Sequence, residues 1–135
     1  MEGQKSPSVK LKQPIRIVRR TENERTDMEP VEIRVILGGA TCSGKTALII
    51  RLLTGEFKYN TPTTMGASFV TYDIQMDRRP VRFQLWDTNG HRTTLPLIQM
   101  YFRNAQAVCI VVDITAPDLE YAEAVLEKAN EHCPD

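Results

Sequence analysis

Residues 39–46, Gly39-Ala40-Thr41-Cys42-Ser43-Gly44-Lys45-Thr46, satisfy the pattern G-x-x-x-x-G-K-[ST] in full. The spacing has a direct physical reason. A loop that wraps a phosphate must turn successive backbone N–H groups inward, and glycines permit the tight path. The helix that follows aims the positive end of its dipole at the anion. Lys45 can reach the outer phosphates, and the Thr46 hydroxyl can ligate a magnesium ion. Two further segments carry matching chemistry. Trp86-Asp87-Thr88-Asn89-Gly90 places a carboxylate where it could support the metal shell, and a glycine whose N–H could meet a γ-phosphate. Thr64 stands in a loop that could close over the metal, and a loop that gains bonds only when a γ-phosphate is present is a switch.

These residues need a frame, and the hydrophobic pattern supplies one. Val31, Ile33 and Val35 alternate with Glu32 and Arg34 and lead into the glycine-rich turn, so a strand precedes the loop. Lys45 to Leu53 is apolar nearly all round and predicts a substantially buried helix. Residues 56–66 read as a loop. Val70, Tyr72, Ile74 and Met76, then Val81, Phe83 and Leu85, alternate with polar residues on either side of Asp77-Arg78-Arg79-Pro80, which predicts an antiparallel hairpin. Residues 92–103 are helical, with Pro96 near the start. Ala107 to Val112 is a continuous run of strand formers, the pattern of a strand buried on both faces, with Cys109 in the core. Thr115 and Asp118, with Pro117 between them, mark a helix start, and Leu119, Ala122, Leu126 and Ala129 form its apolar stripe. The order β-α-β-β-α-β-α implies an α/β fold with a mostly parallel sheet and one antiparallel hairpin.

Composition bounds what this frame can serve. The chain has 135 residues, with 17 Lys+Arg balanced by 17 Asp+Glu. That length suits one domain, and a net charge of zero excludes a broad basic surface for nucleic acid. No apolar run is long enough to span a bilayer, and the first residues lack the apolar core of a secretory signal. Three cysteines, an odd number, fit a reducing compartment, so a cytoplasmic location is expected. Residues 1–30 form a polar, largely disordered extension with a short extended piece at Ile15-Arg16-Ile17-Val18, and residues 31–135 form the domain. The extension is either a solvated arm or an electrostatic contact with anionic lipid or an acidic partner.

Taken together, the residues resemble the Ras-like small GTPases, and within them the Rab family. The likeness runs from Val31 to about Pro134. Gly39 to Thr46 looks like the family's phosphate loop. Thr64 to Phe69 is similar to the first switch and the strand after it, and Trp86 to His91 to the second switch. Tyr101 to Ala107 and Val112-Asp113-Ile114-Thr115 are similar to later Rab segments. Gly55-Glu56-Phe57 and Gly66-Ala67-x-Phe69 are most similar to the early-endosomal subgroup. The resemblance implies a P-loop NTPase fold and a guanine-nucleotide switch in vesicle traffic, with GTP or GDP and Mg²⁺ as ligands. It implies nucleotide contacts from Gly39, Thr41, Cys42, Ser43, Gly44, Lys45, Thr46, Phe57, Thr64, Asp87 and Gly90, and a metal site of Thr46, Thr64 and Asp87. Effectors and exchange factors would meet residues 57–69 and 86–103, and transient endomembrane association would follow. Phe69 and Trp86 belong either to that surface or to plain packing.

Four departures stand against the family pattern. His91 occupies the place of the glutamine that orients the attacking water, so slow hydrolysis is expected. Asn89 replaces alanine beside Gly90. Cys42 lies inside the phosphate loop, as a small filling residue or a redox-sensitive thiol. Finally, N-K-x-D and S-A-K, which read the guanine base, do not occur in these 135 residues. The expectation is therefore a fold lacking the last two strands and helices, with the final apolar strand at an open edge. No prenylation signal is present, since Cys133-Pro134-Asp135 does not complete one. The alternative to a working GTPase is a degenerate one that binds partners without turnover. A different P-loop phosphotransferase has only the phosphate loop in its favour.

Overall fold

The computed structural model describes residues 17–19, 28–76 and 79–132. The elements in chain order are β1 (Ile17–Arg19), β2 (Val31–Gly38), α1 (Lys45–Thr54), β3 (Ala67–Met76), β4 (Arg79–Thr88), a 3₁₀ turn (Arg92–Thr94), α2 (Leu95–Phe102), β5 (Ala107–Ile110) and α3 (Leu119–His132). The strands form one sheet in the order β1-β3-β4-β2-β5. β2 lies inside the sheet next to its edge, parallel to β4 on one side and to β5 on the other. β3 and β4 form the antiparallel hairpin, in register from Ala67↔Thr88 to Met76↔Arg79. Arg79 and Pro80 thus belong to β4 rather than to the turn. β1 adds a second antiparallel pair at the outer edge of β3. It overlaps the extended piece expected at residues 15–18, and the remainder of the expected disordered extension, apart from residues 28–30, lies outside the described residues.

Alternation along β2 builds two cores. Ile36 faces α2 and α3 and packs with Ile98, Phe102, Tyr121, Val125 and Ala129. Val35 and Leu37 face the other way and pack with Ile49 of α1 and Leu85 of β4. A strand buried on both faces is what a parallel centre covered by helices requires. The C-terminal ends of β2 and β4 are pinned together where Thr88 Oγ1 donates to the Leu37 carbonyl at 2.6 Å, in the interior. This bond fixes the two points from which the phosphate loop and the Asp87–Gly90 segment leave the sheet.

Several sequence expectations shift. α1 is not substantially buried: Ile49 and Lys45 are, whereas Leu48 is 52 % exposed and Leu52 and Leu53 lie open on the outer face. Only one side of α1 meets the sheet, so apolar residues all round do not translate into burial. β5 is an edge strand of four residues, and Cys109 is exposed rather than in the core. Among the described residues no strand pairs with its outer side, so the expected open edge is present and the expected two-sided burial is not. The buried stripe of α3 is Tyr121, Val125 and Ala129, at i, i+4 and i+8, while Leu119 and Leu126 face outward. The cap of α3 is Asp118 alone, whose Oδ1 accepts the Tyr121 N–H at 3.0 Å. Thr115 instead donates its hydroxyl to Asp113 at 2.6 Å, closing the preceding turn.

Candidate phosphate and metal site

The loop from Gly38 to Gly44 turns sharply between β2 and α1. Gly39 has φ +140°, and a Cβ there would stand 2.2 Å from the Val111 carbonyl oxygen, so only glycine fits. Gly44 is the N-cap of α1, with φ 103° and no side-chain cap. The first amides of α1 therefore keep their donors free of side-chain partners, as an anion site at a helix N-terminus requires. Cys42 also takes a left-handed backbone, φ 62°, and is exposed. Lys45 is buried, and its Nζ donates to the Gly39 and Ala40 carbonyls at 2.8 Å each and to Ser43 Oγ at 3.4 Å. Desolvation draws its pKa below the ordinary 10.5, with Asp87 and Cys42 opposing.

Three oxygen-bearing side chains converge beside it from three elements. Thr46 begins α1, Thr64 lies in the loop before β3, and Asp87 ends β4. Both hydroxyls donate to Asp87 Oδ2, that of Thr64 at 3.1 Å, and the two hydroxyl oxygens lie 3.1 Å apart. The other carboxylate oxygen, Asp87 Oδ1, is buried without a hydrogen-bond partner. An all-oxygen set with one carboxylate and a spare buried oxygen fits magnesium, which takes few protein ligands and completes its shell with water and phosphate. Thr41, Cys42, Gly44, Lys45 and Thr46 line one wall of a cleft whose opposite wall is residues 61–64 and 88–90.

Gly90 closes that cleft. A Cβ there would meet Thr41 N at 2.2 Å, the Ala40 carbonyl carbon at 2.3 Å and Gly39 O at 2.6 Å, so the segment lies directly on the phosphate loop. His91 is exposed, and its carbonyl accepts from the Thr94 N–H and hydroxyl. Phe57 stands apart: it is 58 % exposed, with its ring edge-on to Tyr59 at 4.8 Å, and does not join the cluster. The structure thus brings together every expected phosphate and metal residue except Phe57, and leaves His91 at the rim. Two residues not assigned a task from sequence also belong to the site. Thr88 anchors it from beneath. Asn89, 8 % exposed, hydrogen-bonds to both flanking loops. Its one sequence signal was the polar residue where the family has alanine.

A separate aromatic face lies on the sheet. Phe69 stacks on Trp86 at 4.9 Å, Trp86 meets Tyr101 at 5.2 Å, and the Arg34 guanidinium sits 4.5 Å over the indole. Phe69 is 52 % exposed, while Trp86 packs against the core around Ile36. The two readings of this pair therefore divide between its members, Trp86 being mostly packing and Phe69 mostly surface.

Comparison with known proteins places this geometry. The model of the family described as "Ras of Complex, Roc, domain of DAPkinase" matches residues 34–135. The "GTP-binding protein YPT53" of Saccharomyces cerevisiae is 40 % identical over 83 residues, 62 % of this chain. The chain spans only 38 % of the length of that relative. A phosphate loop leaving an interior parallel strand of this sheet, the switch-like segments around it and a match over most of the chain agree, and the chain belongs to the Roc and Ras-like GTPase domains, with Rab-like sequence character.

Proposed function

We propose that this chain is a guanine-nucleotide-binding switch of Rab type, acting in vesicle traffic and hydrolysing GTP slowly. The observation that carries it is the meeting of Thr46, Thr64 and Asp87 beside the buried Lys45, at the open N-terminus of α1. On binding, the amides of residues 42–46 take the phosphate oxygens, and Lys45 exchanges its loop carbonyls for the outer phosphates. Thr46, Thr64 and Asp87 would hold the metal through their oxygens, giving up the hydrogen bonds that they make to one another. Magnesium, when bound, neutralises charge developing on the phosphate oxygens. Gly90, which lies against residues 39–41, is proposed to offer its N–H to a γ-phosphate. His91 sits in the place of the water-orienting residue, and its exposed imidazole has a different reach from a carboxamide, which supports slow turnover.

Effectors and exchange factors are proposed to meet residues 57–69 and 86–103, with Phe69 presented on the aromatic face. Transient endomembrane contact is proposed from the Rab likeness; among the described residues no helix is long and apolar enough to cross a membrane. A second reading, partner binding without turnover, is favoured by that same aromatic face, on which Phe69 is exposed.

Fluorescent GTP and ATP analogues, titrated with and without Mg²⁺ into the full chain and into Lys45→Ala, test the proposal. Mg²⁺-dependent binding that weakens by about tenfold or more in the variant is expected, from the loss of a charge-assisted contact. A preference for the GTP analogue supports the guanine reading, and equal binding of the two would show a working phosphate loop without base selection. Absence of binding by the unmodified chain would leave the partner-binding reading standing alone.

A further inference from the structure

Asn89 is buried between the two loops of the site, and both polar atoms of its carboxamide are hydrogen-bonded. Its Nδ2 donates to the Thr64 carbonyl at 2.9 Å, and its Oδ1 accepts the His91 N–H at 2.8 Å. The orientation of the amide follows from chemistry: a carbonyl can only accept and a backbone N–H can only donate, so the flipped amide would lose both bonds. Its own N–H donates to the Gly66 carbonyl at 2.8 Å, extending the β3–β4 pairing by one bond beyond Ala67↔Thr88. One residue thus ties the end of β4 to the Thr64 loop twice and to the start of the second loop once.

The Thr64 loop has little else to hold it. Pro62, Thr63, Met65 and Gly66 are exposed, Met65 at 89 %, and Gly66 turns with φ +71° and open space around it. The Thr64 hydroxyl reaches Thr46 and Asp87, but these are the bonds that a metal would replace. The Asn89 bonds run to the Thr64 carbonyl and the His91 N–H rather than to the hydroxyls of the metal site, and can persist when a ligand enters.

We infer that Asn89 is a brace that holds the Thr64 loop closed over the metal position before any γ-phosphate arrives. This deepens the switch reading and rests on it. In a switch without the brace, the γ-phosphate alone must order the first loop. With the brace, part of that ordering is already done, so a triphosphate meets a site whose competent state is more populated. A diphosphate, which lacks the group that the closed loop serves, benefits less. Asn89 acts through Thr64 and His91 and touches no reacting atom, so it is a positioning residue.

Two substitutions separate its bonds. Asn89→Ala removes both side-chain contacts. Asn89→Asp keeps the acceptor for the His91 N–H but loses the donor to the Thr64 carbonyl. The first measurement is amide hydrogen exchange on the nucleotide-free full chain, with α3 as the internal control for global stability. Exchange of residues 61–66 should rise several-fold in both variants with α3 unchanged, and exchange of 91–94 should rise only in Asn89→Ala. In the second measurement, Asn89→Ala should weaken a fluorescent triphosphate analogue about two- to tenfold more than the diphosphate, the range for one or two hydrogen bonds. The brace is overturned if exchange at 61–66 stays within about twofold of the unmodified chain in both variants, or rises only together with α3. An unmodified chain that binds no nucleotide would remove the proposed switch, while the exchange measurement would still decide the brace.

Discussion

Gly90→Ala isolates the contact between the second loop and the phosphate loop. The backbone of Gly90 is not left-handed, so alanine meets no conformational penalty there. The cost is steric. The added carbon would stand 2.2, 2.3 and 2.6 Å from three backbone atoms of residues 39–41, where carbon contacts normally begin at about 3.5 Å. Backbone cannot swing aside as a side-chain tip does, so the loop or the end of β4 must shift by about an ångström. Overpacking of this kind costs about 1–3 kcal/mol. With a urea slope of about 1.5 kcal/mol per M, the midpoint should fall by roughly 1 M at unchanged slope. Exchange of the amides of residues 40–43 and 89–91 should rise with it. Gly66→Ala is the control: its strain is conformational, at φ +71° with nothing within 4 Å, so it should destabilise by about 1–2 kcal/mol while leaving residues 40–43 protected. If Gly90→Ala unfolds at the unmodified midpoint with residues 40–43 equally protected, the two loops are not in contact and the closed cleft is wrong.

The remaining predictions concern charge, turnover and packing. Lys45 titrates below its ordinary 10.5, and an anion favours its charged form, so nucleotide affinity should fall as pH rises through that lowered value. The sign for folding is opposite: between the lowered and ordinary values the unfolded chain binds more protons, so Lys45 makes the free fold more stable as pH rises across that window. Titrations from pH 7 upward on the unmodified chain and Lys45→Ala check both, and an equal affinity loss in the variant would count against the assignment. His91→Gln should raise the single-turnover rate of GTP hydrolysis, and no gain would sink the account of slow turnover. Phe102→Ala empties a site with 0 % exposure and should cost about 3–5 kcal/mol by equilibrium denaturation, a loss under about 1 kcal/mol being incompatible with the described core.

What the sequence made legible follows from what is local. The phosphate loop is a contiguous pattern with a steric reason for each glycine, and Gly39 and Gly44 take the backbones it calls for. The hairpin is legible because strict alternation and a short turn specify register, although Arg79 and Pro80 pair where a longer turn was expected. Burial was less legible. The apolar run ending at Val112 and the all-round apolar α1 look the same whether or not another element covers them, and here Cys109, Leu48 and Leu52 are open. The stripe of α3 was misplaced because Tyr121 and Val125 fit a helical period as well as Leu119 and Leu126 do, and only the packed sheet chooses between them. Asn89 was visible as a departure, but its meaning required knowing that the Thr64 carbonyl and the His91 N–H flank it.

The place of β2 between its two parallel partners also has a consequence for how the chain assembles. β2 is synthesised before either parallel neighbour. Its pairing with β4 spans 50 residues at Val31↔Val81, and its pairing with β5 spans 72 at Val35↔Ala107. The β3–β4 hairpin, closed between Met76 and Arg79, can form locally and early. Val35, Ile36 and Leu37 then wait, unpaired, until residues 81–110 have been made. Such separations make loop closure slow and leave an apolar segment open to wrong partners meanwhile. The strand that presents the phosphate loop is therefore among the last to find its place, so the ability to bind an anion should appear late in folding and serve as a kinetic marker of its completion.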